Sequence, residues 1–431
     1  MPNTASLPRL RLAPRRPFAR RSREALAFGG ASVLALAHAF DDAFLLPGSG
    51  VPITRHALAA AIALVATVAA VATFDRLRPG LRSVIAFSFG LLATVNGGRH
   101  LVHATQEGAT ANDVTGVLAL AAGVALLGLA AWIPFRHRGA GAATPRRRWA
   151  IRALSVPVGL VAAWAVFMPV GTAVVDIHSL SRPVGSPPDA SYETVRFSTS
   201  DGLRLEGWHR KSENGATVLM LAGGGSNRRS TLRHAEMLVS HGYGVLLYDP
   251  RGSGRSEGTI NSYGWGWDKD ADAALEHLHR VTDDRIGALG LSTGADMAID
   301  AAGRRDDLEA VVADGSARIG YEDAEAYSDS VPLRLQEWML FKTIEVIQGT
   351  PGPKVALADR IAATSAPHLL VSAGTPEKGW GELYDRAGGD RSTLWHLPKA
   401  THTAALEQYP DEYERRVVSF LEENLLGGPN R

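Results

Sequence analysis

The stretch "GALGLSTGADMA", residues 287–298, places Ser292 between two glycines in the pattern Gly-x-Ser-x-Gly. An apolar run typical of a buried strand precedes the serine, and a run with helical periodicity begins at Thr293. A sharp strand-to-helix turn needs small residues on both sides of its central serine, and such a turn exposes the serine hydroxyl. The stretch therefore predicts a nucleophilic serine, the alternative being one serine in an ordinary glycine-rich turn.

From about residue 190, apolar runs alternate with amphipathic stretches. The runs are, in order, "TVLMLAGGG", "GVLLYD", "IGALGLS", "AVVAD", "HLLVSAG" and "TLWHLP". Helices are predicted at about 229–241, at about 267–280, from Thr293 and at about 410–425, after a hairpin that turns at Asp201-Gly202. Buried strands that alternate with helices predict an α/β fold with a mostly parallel, doubly wound sheet and catalytic groups at the carboxyl ends of its strands.

An insertion with helical pattern separates two of these strands at about residues 320–366. It predicts a small helical cap over the active site. The apolar residues Trp338, Met339 and Phe341 either line an acyl or aromatic pocket or form the core of the cap itself.

Two further chemical groups follow predicted strands. Glu377 comes just after "HLLVSAG", and His402 lies in "KATHT" after "TLWHLP". A serine hydroxyl is a poor nucleophile until an imidazole removes its proton, and the imidazole needs a carboxylate to hold its tautomer. We therefore predict a triad of Ser292, Glu377 and His402, the alternative for His402 being an exposed loop histidine. Asp314, after "AVVAD", is the alternative acid, and Asp385 is a third.

Several motifs in this order resemble the α/β-hydrolase superfamily, over essentially all of residues 190–427. "LMLAGGGSN" is similar to the oxyanion strand end of that family, "LLYDPRGSGRSEG" to its strand-plus-loop signature, "GLSTG" to its nucleophile elbow and "KATHT" to its histidine loop. "PDEYERRVVSFLEENL" resembles the closing helix of the dienelactone-hydrolase and acyl-peptidase-like branches. The resemblance implies the α/β-hydrolase fold and a serine hydrolase that needs no cofactor.

The resemblance also assigns roles to individual residues. Ser292 would be the nucleophile and His402 the general base. The backbone N–H groups of Gly224 and Thr293 would form the oxyanion hole, which stabilises the tetrahedral intermediate.

The sequence departs from the family pattern at two positions. Ala222 stands where the family usually has histidine, and Glu377 stands where it often has aspartate, so the identity of the acid is the weaker assignment. Asp249 and Arg251, in "YDPRG", resemble catalytic charges. We interpret them as a structural pair that holds the loop after their strand.

The residues before about 180 have a different character, with five apolar stretches and clusters of arginine. The stretches lie at about 25–46, 57–74, 83–103, 114–135 and 153–175. The last two carry no charge, and each is long enough to cross a hydrocarbon core of ~30 Å as a helix. The sequence predicts a basic tail (1–24), an all-α transmembrane region (25–176), a linker (177–190) and the hydrolase domain (191–427). A soluble helical core is the alternative to the transmembrane region.

Arginines cluster in the N-terminal tail and in the second and fourth connectors, whereas the other two connectors contain only Arg55 and Arg99. The positive-inside bias then predicts a cytoplasmic N-terminus and, after five crossings of the cell membrane, an extracytoplasmic hydrolase domain. "AHA", residues 37–39, also resembles a signal-peptide cleavage site, and cleavage there leaves the side of the hydrolase domain unchanged.

Polar residues interrupt two of the apolar stretches toward the same leaflet. His38 and Asp42 lie in the first stretch, and His100 and His103 lie in the third. Ionisable groups within a membrane are costly and usually paired. Three interpretations remain open: a salt-bridged structural plug, a metal or proton site, and interfacial solvation.

The balance of 45 basic and 44 acidic residues gives no reason to expect a nucleic-acid partner, and the absence of cysteine excludes disulfides and thiolate metal sites. The sequence thus predicts a membrane-anchored serine hydrolase that cleaves an ester of a small-molecule or lipid-like acyl substrate, with amides and thioesters as alternatives. Two other classes stay open: a catalytically silent binding or sensing domain, and a protein whose main function lies in its membrane spans. The sequence does not predict the oligomeric state.

Overall fold

The computed structural model of the protein describes residues 21–44, 53–107, 111–136 and 184–427, together with residues 169, 172 and 173. The chain divides into two compact units, one formed by Met1–His38 and Ala63–Val156 and the other by Ala39–Ile62 and Pro157–Arg431. Among the described residues, the first unit is helical and the second contains the sheet.

The helices are α1 (Arg23–Phe44), α2 (Ile53–Thr73), α3 (Pro79–Glu107), α4 (Ala111–Arg136), α5 (Leu232–Ser240), α6 (Trp267–Val281), α7 (Thr293–Arg304), α8 (Tyr321–Tyr327), α9 (Val331–Gln348), α10 (Leu357–Ala363), α11 (Gly374–Gly388), α12 (Ala405–Gln408) and α13 (Pro410–Leu421). The strands are β1 (Glu193–Ser198), β2 (Arg204–Arg210), β3 (Ala216–Leu221), β4 (Gly244–Tyr248), β5 (Arg285–Leu291), β6 (Ala310–Asp314), β7 (His368–Ala373) and β8 (Ser392–Leu397). Short 3₁₀ turns and a final π-helical turn complete the described secondary structure.

The eight strands form one sheet in the order β1-β2-β4-β3-β5-β6-β7-β8. Strand β2 is antiparallel to both of its neighbours, and all other neighbouring strands are parallel. The hairpin of β1 and β2 contains Asp201 and Gly202 in its turn. The predictions of a hairpin followed by a mostly parallel sheet are confirmed.

Both faces of the central part of the sheet are covered, which explains why strands β3 to β7 are continuous apolar runs rather than alternating ones. Every residue of β3 is buried. Leu219 and Leu221 of this strand belong to a core cluster that includes side chains of α6, α7, α10 and α11. Val218 and Met220 belong to a second cluster that includes side chains of α5, α12 and α13. The sheet therefore lies between two layers of helices.

Helix α11 was not predicted from the sequence, because its glycines are typical of a loop. A Cβ atom on Gly381 would lie 2.8 Å from Cδ1 of Leu394 and 3.3 Å from Cβ of Ser372. A Cβ atom on Gly379 would overlap the hydroxyl of Tyr327. These glycines allow the helix to pack closely on its neighbours.

The insertion after β6 contains α8, α9 and α10. Phe341 of α9 is buried and stacks on Trp265, with ring centroids 6.3 Å apart, so it belongs to the core of the cap. Trp338, on the same helix, is 45% exposed. Helix α10 packs into the core cluster of the sheet through Leu357.

The charged residues of "YDPRG" are structural, but the prediction that they pair with each other is wrong. Asp249 is fully buried and accepts hydrogen bonds from Nη2 and Nε of Arg228, at 2.7 and 3.0 Å. It also accepts the backbone N–H of Arg255 at 2.8 Å, so its oxygens are saturated. Arg251 instead donates to Asp270 at 2.7 Å.

Replacement of Arg228 by methionine is expected to lower the free energy of unfolding by about 3–5 kcal/mol, because Asp249 would stay buried without its partner. Arg285 pairs with Glu309 on the surface and is 49% exposed, so its replacement by methionine is the matched control, with an expected loss below about 1 kcal/mol. Urea unfolding followed by tryptophan fluorescence would measure both values. Equal losses in the two variants would contradict a structural role for the buried pair.

Helices α1 to α4 coincide with the first four predicted spans. Two of them contain segments that are long and apolar enough to cross a membrane, Pro79–Gly98 in α3 and Val114–Pro134 in α4. The fifth predicted span, 153–175, lies outside the described residues except for residues 169, 172 and 173. By length and composition, the described helices thus give weak support for membrane association.

Helices α3 and α4 pack closely through small residues. A Cβ atom on Gly97 would overlap the backbone of α4, and one on Gly90 would lie 2.9 Å from the backbone nitrogen of Leu127. Small residues at such contacts are typical of helix pairs in membranes. Large apolar side chains also point outward from these helices, among them Leu81, Val114, Leu118, Val124 and Trp132.

The metal hypothesis for the polar residues of the spans stays untested. His38 is buried, and its Nδ1 lies 3.0 Å from Oγ1 of Thr115. The side chains of Asp42, His100 and His103 lie outside what the structure describes. Within the part that it describes, no group of three histidine or carboxylate side chains is arranged to hold a metal ion.

Candidate active site

Ser292 lies at the turn between β5 and α7. Its backbone angles are φ 54° and ψ −125°, a sparsely populated conformation with positive φ that costs about 1–3 kcal/mol for a residue with a side chain. Its N–H donates a hydrogen bond of 2.8 Å to the carbonyl of Asp314 on β6. A Cβ atom on Gly290 or Gly294 would overlap neighbouring backbone, so this turn requires both glycines of the motif.

Side chains from three segments meet at the carboxyl edge of the sheet. Nε2 of His402 lies 2.9 Å from Oγ of Ser292, and Nδ1 of His402 lies 2.6 Å from Oε1 of Glu377. The other carboxylate oxygen of Glu377 accepts the N–H of Ala373 at 2.7 Å. The result is a continuous hydrogen-bond chain from a hydroxyl through an imidazole to a carboxylate. Such a chain favours the imidazole tautomer whose Nε2 accepts the hydroxyl hydrogen.

His402 belongs to the loop between β8 and α12. The next residue, Thr403, has a φ of 54°, and the N–H of Ala404 closes a turn on the carbonyl of Thr401 at 3.0 Å. The hydrogen bond to Glu377, and then the negative charge of that residue, raise the pKa of His402, whereas burial opposes the shift. The imidazole is therefore a stronger base than an isolated histidine.

The two other candidate acids are placed differently. Asp314 is fully buried at the end of β6, and neither carboxyl oxygen makes a hydrogen bond of ordinary geometry to a described residue. Burial raises the pKa of Asp314 to about 7; the nearby hydroxyl of Tyr413 opposes this shift, and the negative charge of Glu377 adds to it. Asp385, on α11, accepts the backbone N–H of Leu394. Of the three acids, Glu377 is the one that is hydrogen-bonded to His402.

The two predicted oxyanion donors lie side by side. A Cβ atom on Gly224 would be 2.9 Å from Oγ1 of Thr293, and that hydroxyl donates to the carbonyl of Ser262 at 2.6 Å. Within the described part of the chain, neither the N–H of Gly224 nor that of Thr293 has a backbone acceptor outside regular secondary structure. The neighbouring Gly223 lies close to Ser292, since a Cβ atom there would be 3.3 Å from that of the serine.

An open cavity of about 350 Å³ contains the hydroxyl of Ser292. Its lining is mixed in polarity. The lining residues are Gly223, Gly224, Ser226, Ser230, Arg233, His234, Leu291, Ser292, His402, Thr403, Leu406 and Glu407. Trp338, Met339 and Phe341 are not among them, so of the two alternatives for these residues, lining the pocket finds no support at this cavity.

Sequence reasoning missed three ionisable residues of the cavity. Arg233 and Glu407 are exposed and carry opposite charges. His234 is buried, and burial lowers its pKa to about 4, so the ring is neutral at pH 7. Two of them, Arg233 and His234, lie on the helix predicted at about 229–241. Their position just after the glycine-rich strand end was the sequence signal that could have identified them.

Gly315 positions the imidazole. Its φ is +79°, and a Cβ atom there would lie 2.9 Å from Cε1 and 3.1 Å from Nδ1 of His402. Gly315→Ala is therefore expected to displace the ring and lower kcat/KM roughly 10²-fold, as for other displacements of about 1 Å. Gly202→Ala is the matched control, because Gly202 has a φ of +84° with no atom within 4 Å of a Cβ. Steady-state kinetics with a soluble ester would test this, and equal losses in both variants would contradict it.

The chain is similar to known proteins over the part that contains the sheet. The sequence model of the X-Pro dipeptidyl-peptidase family (S15 family) matches residues 204–410, which include Ser292, Glu377 and His402. The uncharacterized protein Rv2307c of Mycobacterium tuberculosis (strain H37Rv) is 30% identical over 194 residues, which cover 43% of this chain and 68% of that protein. The family match supports a relation to the α/β-hydrolase superfamily.

Another relative matches a smaller share of this chain. The uncharacterized protein YfhR of Escherichia coli (strain K12) is 28% identical over 165 residues, which cover 36% of this chain. The aligned residues span 58% of YfhR, less than two thirds of its length.

Among solved structures, the esterase Pf2001 of Pyrococcus furiosus has a TM-score of 0.46 and 22% identity, covering 57% of this chain and 96% of that one. The family match supports a hydrolase of the serine type.

Proposed function

We propose that the protein is a membrane-anchored serine hydrolase that cleaves an ester through an acyl-Ser292 intermediate. The observation that carries this proposal is the hydrogen-bond chain from Ser292 through His402 to Glu377, with its hydroxyl end in an open cavity. A hydroxyl beside a base of raised pKa is the arrangement that nucleophilic catalysis requires.

The residues of the candidate site can carry out each step of an acyl transfer. Nε2 of His402 removes the proton of Ser292 as the oxygen attacks the substrate carbonyl, and the N–H groups of Gly224 and Thr293 stabilise the resulting oxyanion. His402 then returns the proton to the departing alcohol. Water, deprotonated by the same imidazole, attacks the acyl-serine, and His402 returns that proton to Oγ of Ser292 as the acid departs. Glu377 stabilises the imidazolium in both halves of the reaction.

A peptide is the second candidate substrate, and the match to the X-Pro dipeptidyl-peptidase family favours it. The same acyl-serine chemistry serves both bonds, with an amine in place of the alcohol as the leaving group. Comparison of kcat/KM for a short-chain p-nitrophenyl ester and for alanyl-prolyl-p-nitroanilide would decide between them.

The anchoring part of the proposal rests on the five predicted spans and on the two described helices that are long and apolar enough to cross a membrane. With the arginine-rich connectors in the cytoplasm, the domain that carries Ser292 lies outside.

The test is labelling of intact cells with a membrane-impermeant fluorophosphonate, which reacts with activated serines. We expect labelling of the wild-type chain and none of Ser292→Ala. Labelling only after lysis would support a reactive Ser292 but show that the hydrolase domain faces the cytoplasm. Absence of labelling under both conditions, with folded protein present, would favour a binding domain without catalysis.

The pH dependence of kcat/KM offers a separate check. His402 must be neutral to accept a proton, so the rate falls about tenfold per pH unit below its pKa. Because Glu377 raises that pKa, the midpoint is expected above 6.5, and in Glu377→Gln it is expected to move lower. Burial raises the pKa of Asp314 to about 7, so this carboxyl titrates in the same pH range as His402. Asp314→Asn is therefore the control, and the fall of kcat/KM at low pH should remain in that variant. A midpoint at or below 6.5 in the wild type would contradict the raised basicity.

A further inference from the structure

The outer face of α9 is apolar and exposed. Val331, Leu335, Trp338 and Val346 are 75%, 55%, 45% and 58% exposed, and their spacing places them along one side of the helix. We call these four residues the outer stripe. The opposite side of the helix is buried within the cap. Exposed apolar side chains along one side of a helix, interrupted here by Lys342, favour an interaction surface.

The inner face of α9 contacts the segment that precedes the linker. Ala173 is fully buried in one cluster with Trp265, Leu340, Phe341 and Ile344. Ala173 also belongs to the last residues of the fifth predicted span, 153–175. If that span crosses the bilayer, its end lies at the membrane surface, and α9 is held beside it.

The chemistry of the stripe suits a lipid headgroup region. Trp338 combines a large apolar surface with an N–H donor, a combination enriched at membrane interfaces. Both carboxylates of α9 are paired, Glu337 with Arg318 and Glu345 with Lys342, so neither presents an unpaired negative charge to an anionic lipid.

Contacts connect this helix to the catalytic turn. The ring of Phe341 packs edge-on against Tyr263, with centroids 5.3 Å apart, and Asn261 donates to Gln348 at 2.6 Å. Between Asn261 and Tyr263 in the same loop, the carbonyl of Ser262 accepts a hydrogen bond of 2.6 Å from the hydroxyl of Thr293. One loop thus touches both the cap helix and the residue after Ser292.

We propose that the outer stripe of α9 lies in the interfacial layer of the bilayer that anchors the protein, and that the substrate is a membrane-embedded acyl ester. The inference rests on the proposed function, since it takes the anchor and the serine chemistry from it. It adds the partner of the cap, a lipid surface, and the side from which the substrate arrives.

The first experiment uses the absence of native cysteine. Full-length Leu335→Cys and Val346→Cys are labelled with an environment-sensitive fluorophore and reconstituted in vesicles of phosphatidylcholine and phosphatidylglycerol that contain a doxyl-lipid quencher. We expect the quencher to lower the emission at both positions by about twofold or more, as for residues of interfacial helices. Val281→Cys, at an apolar residue that is 45% exposed at the end of α6, is the matched control and should stay unquenched.

Three outcomes would overturn the proposal. Emission at both stripe positions that is insensitive to the quencher would show that the stripe faces water. Resistance of both cysteines to labelling until the protein is unfolded would show that another part of the chain covers them. Disulfide cross-links that increase with the protein-to-lipid ratio would show that a second copy occupies the stripe.

The second experiment compares two substrates in the same vesicles. Relative to the wild type, the double variant Leu335→Glu with Trp338→Glu is expected to hydrolyse a long-chain ester held in the bilayer about tenfold more slowly, since charges oppose insertion. Hydrolysis of a soluble short-chain ester should be unchanged. Equal rates on the embedded ester would overturn the substrate assignment. Hydrolysis of neither ester by the wild type would instead remove the proposed function, while the quenching result would still decide the docking.

Discussion

Replacement of Ser292 by alanine is expected to lower kcat for hydrolysis of a soluble ester by about 10⁴-fold or more. The reason is that Oγ of Ser292 is the atom 2.9 Å from Nε2 of His402, and alanine removes the nucleophile without changing the size of the turn appreciably. The measurement is single-turnover and steady-state kinetics of the full-length protein in detergent. Circular dichroism would check that the variant is folded.

A second pocket serine provides the control for this prediction. Ser230 also lines the cavity, but its hydroxyl donates to the carbonyl of Asn227 at 2.9 Å and has no contact with the imidazole. Ser230→Ala is therefore expected to change kcat by less than about tenfold. If Ser292→Ala retained most of the wild-type rate, the acyl-Ser292 mechanism would be wrong, and any hydrolysis would need another nucleophile.

Replacement of Glu377 by glutamine is expected to lower kcat roughly 10³-fold, because an amide can donate to Nδ1 of His402 and so stabilise the wrong imidazole tautomer. The variant keeps the shape of the side chain, including an oxygen that can accept the N–H of Ala373. Asp314→Asn is expected to lower kcat by less than about tenfold, since burial already favours the protonated carboxyl at that position.

The two acid variants discriminate between the candidate acids when measured in parallel with the same soluble ester. A larger loss in Asp314→Asn than in Glu377→Gln would transfer the role of the acid to Asp314. Comparable losses in both variants would show that the two carboxyl groups act together on His402. Thermal unfolding of each variant would separate a loss of stability from a loss of catalysis.

The strands were the most predictable part of the fold. All six apolar runs from "TVLMLAGGG" to "TLWHLP" form strands of the sheet. The five from β3 to β7 are buried almost throughout, because strands covered on both faces must be apolar. Helix α11 could not be predicted in the same way. Gly379 and Gly381 weaken a helix in isolation, and they are favourable only where Tyr327 and Leu394 pack against the helix backbone.

The candidate site was predictable to a different degree for each residue. The turn at Ser292 has a local sequence requirement, two glycines, and the structure places the serine at that turn. The choice among acids has no local signature, because sequence spacing does not say which carboxylate reaches Nδ1 of His402. The pairing of Asp249 was predicted wrongly for the same reason, since its partner Arg228 lies 21 residues earlier in the chain.

The sequence alone determined the fold class, the serine at its sharp turn and the division between an apolar N-terminal part and an alternating C-terminal part. These features depend on periodicity and on turns that a few adjacent residues encode. Tertiary structure decided that Glu377 is hydrogen-bonded to His402, that Gly315 sets the position of the imidazole, and that the aromatic residues of α9 divide between the cap core and an exposed stripe. Each of these depends on which distant segments pack together, and that packing is a property of the whole fold.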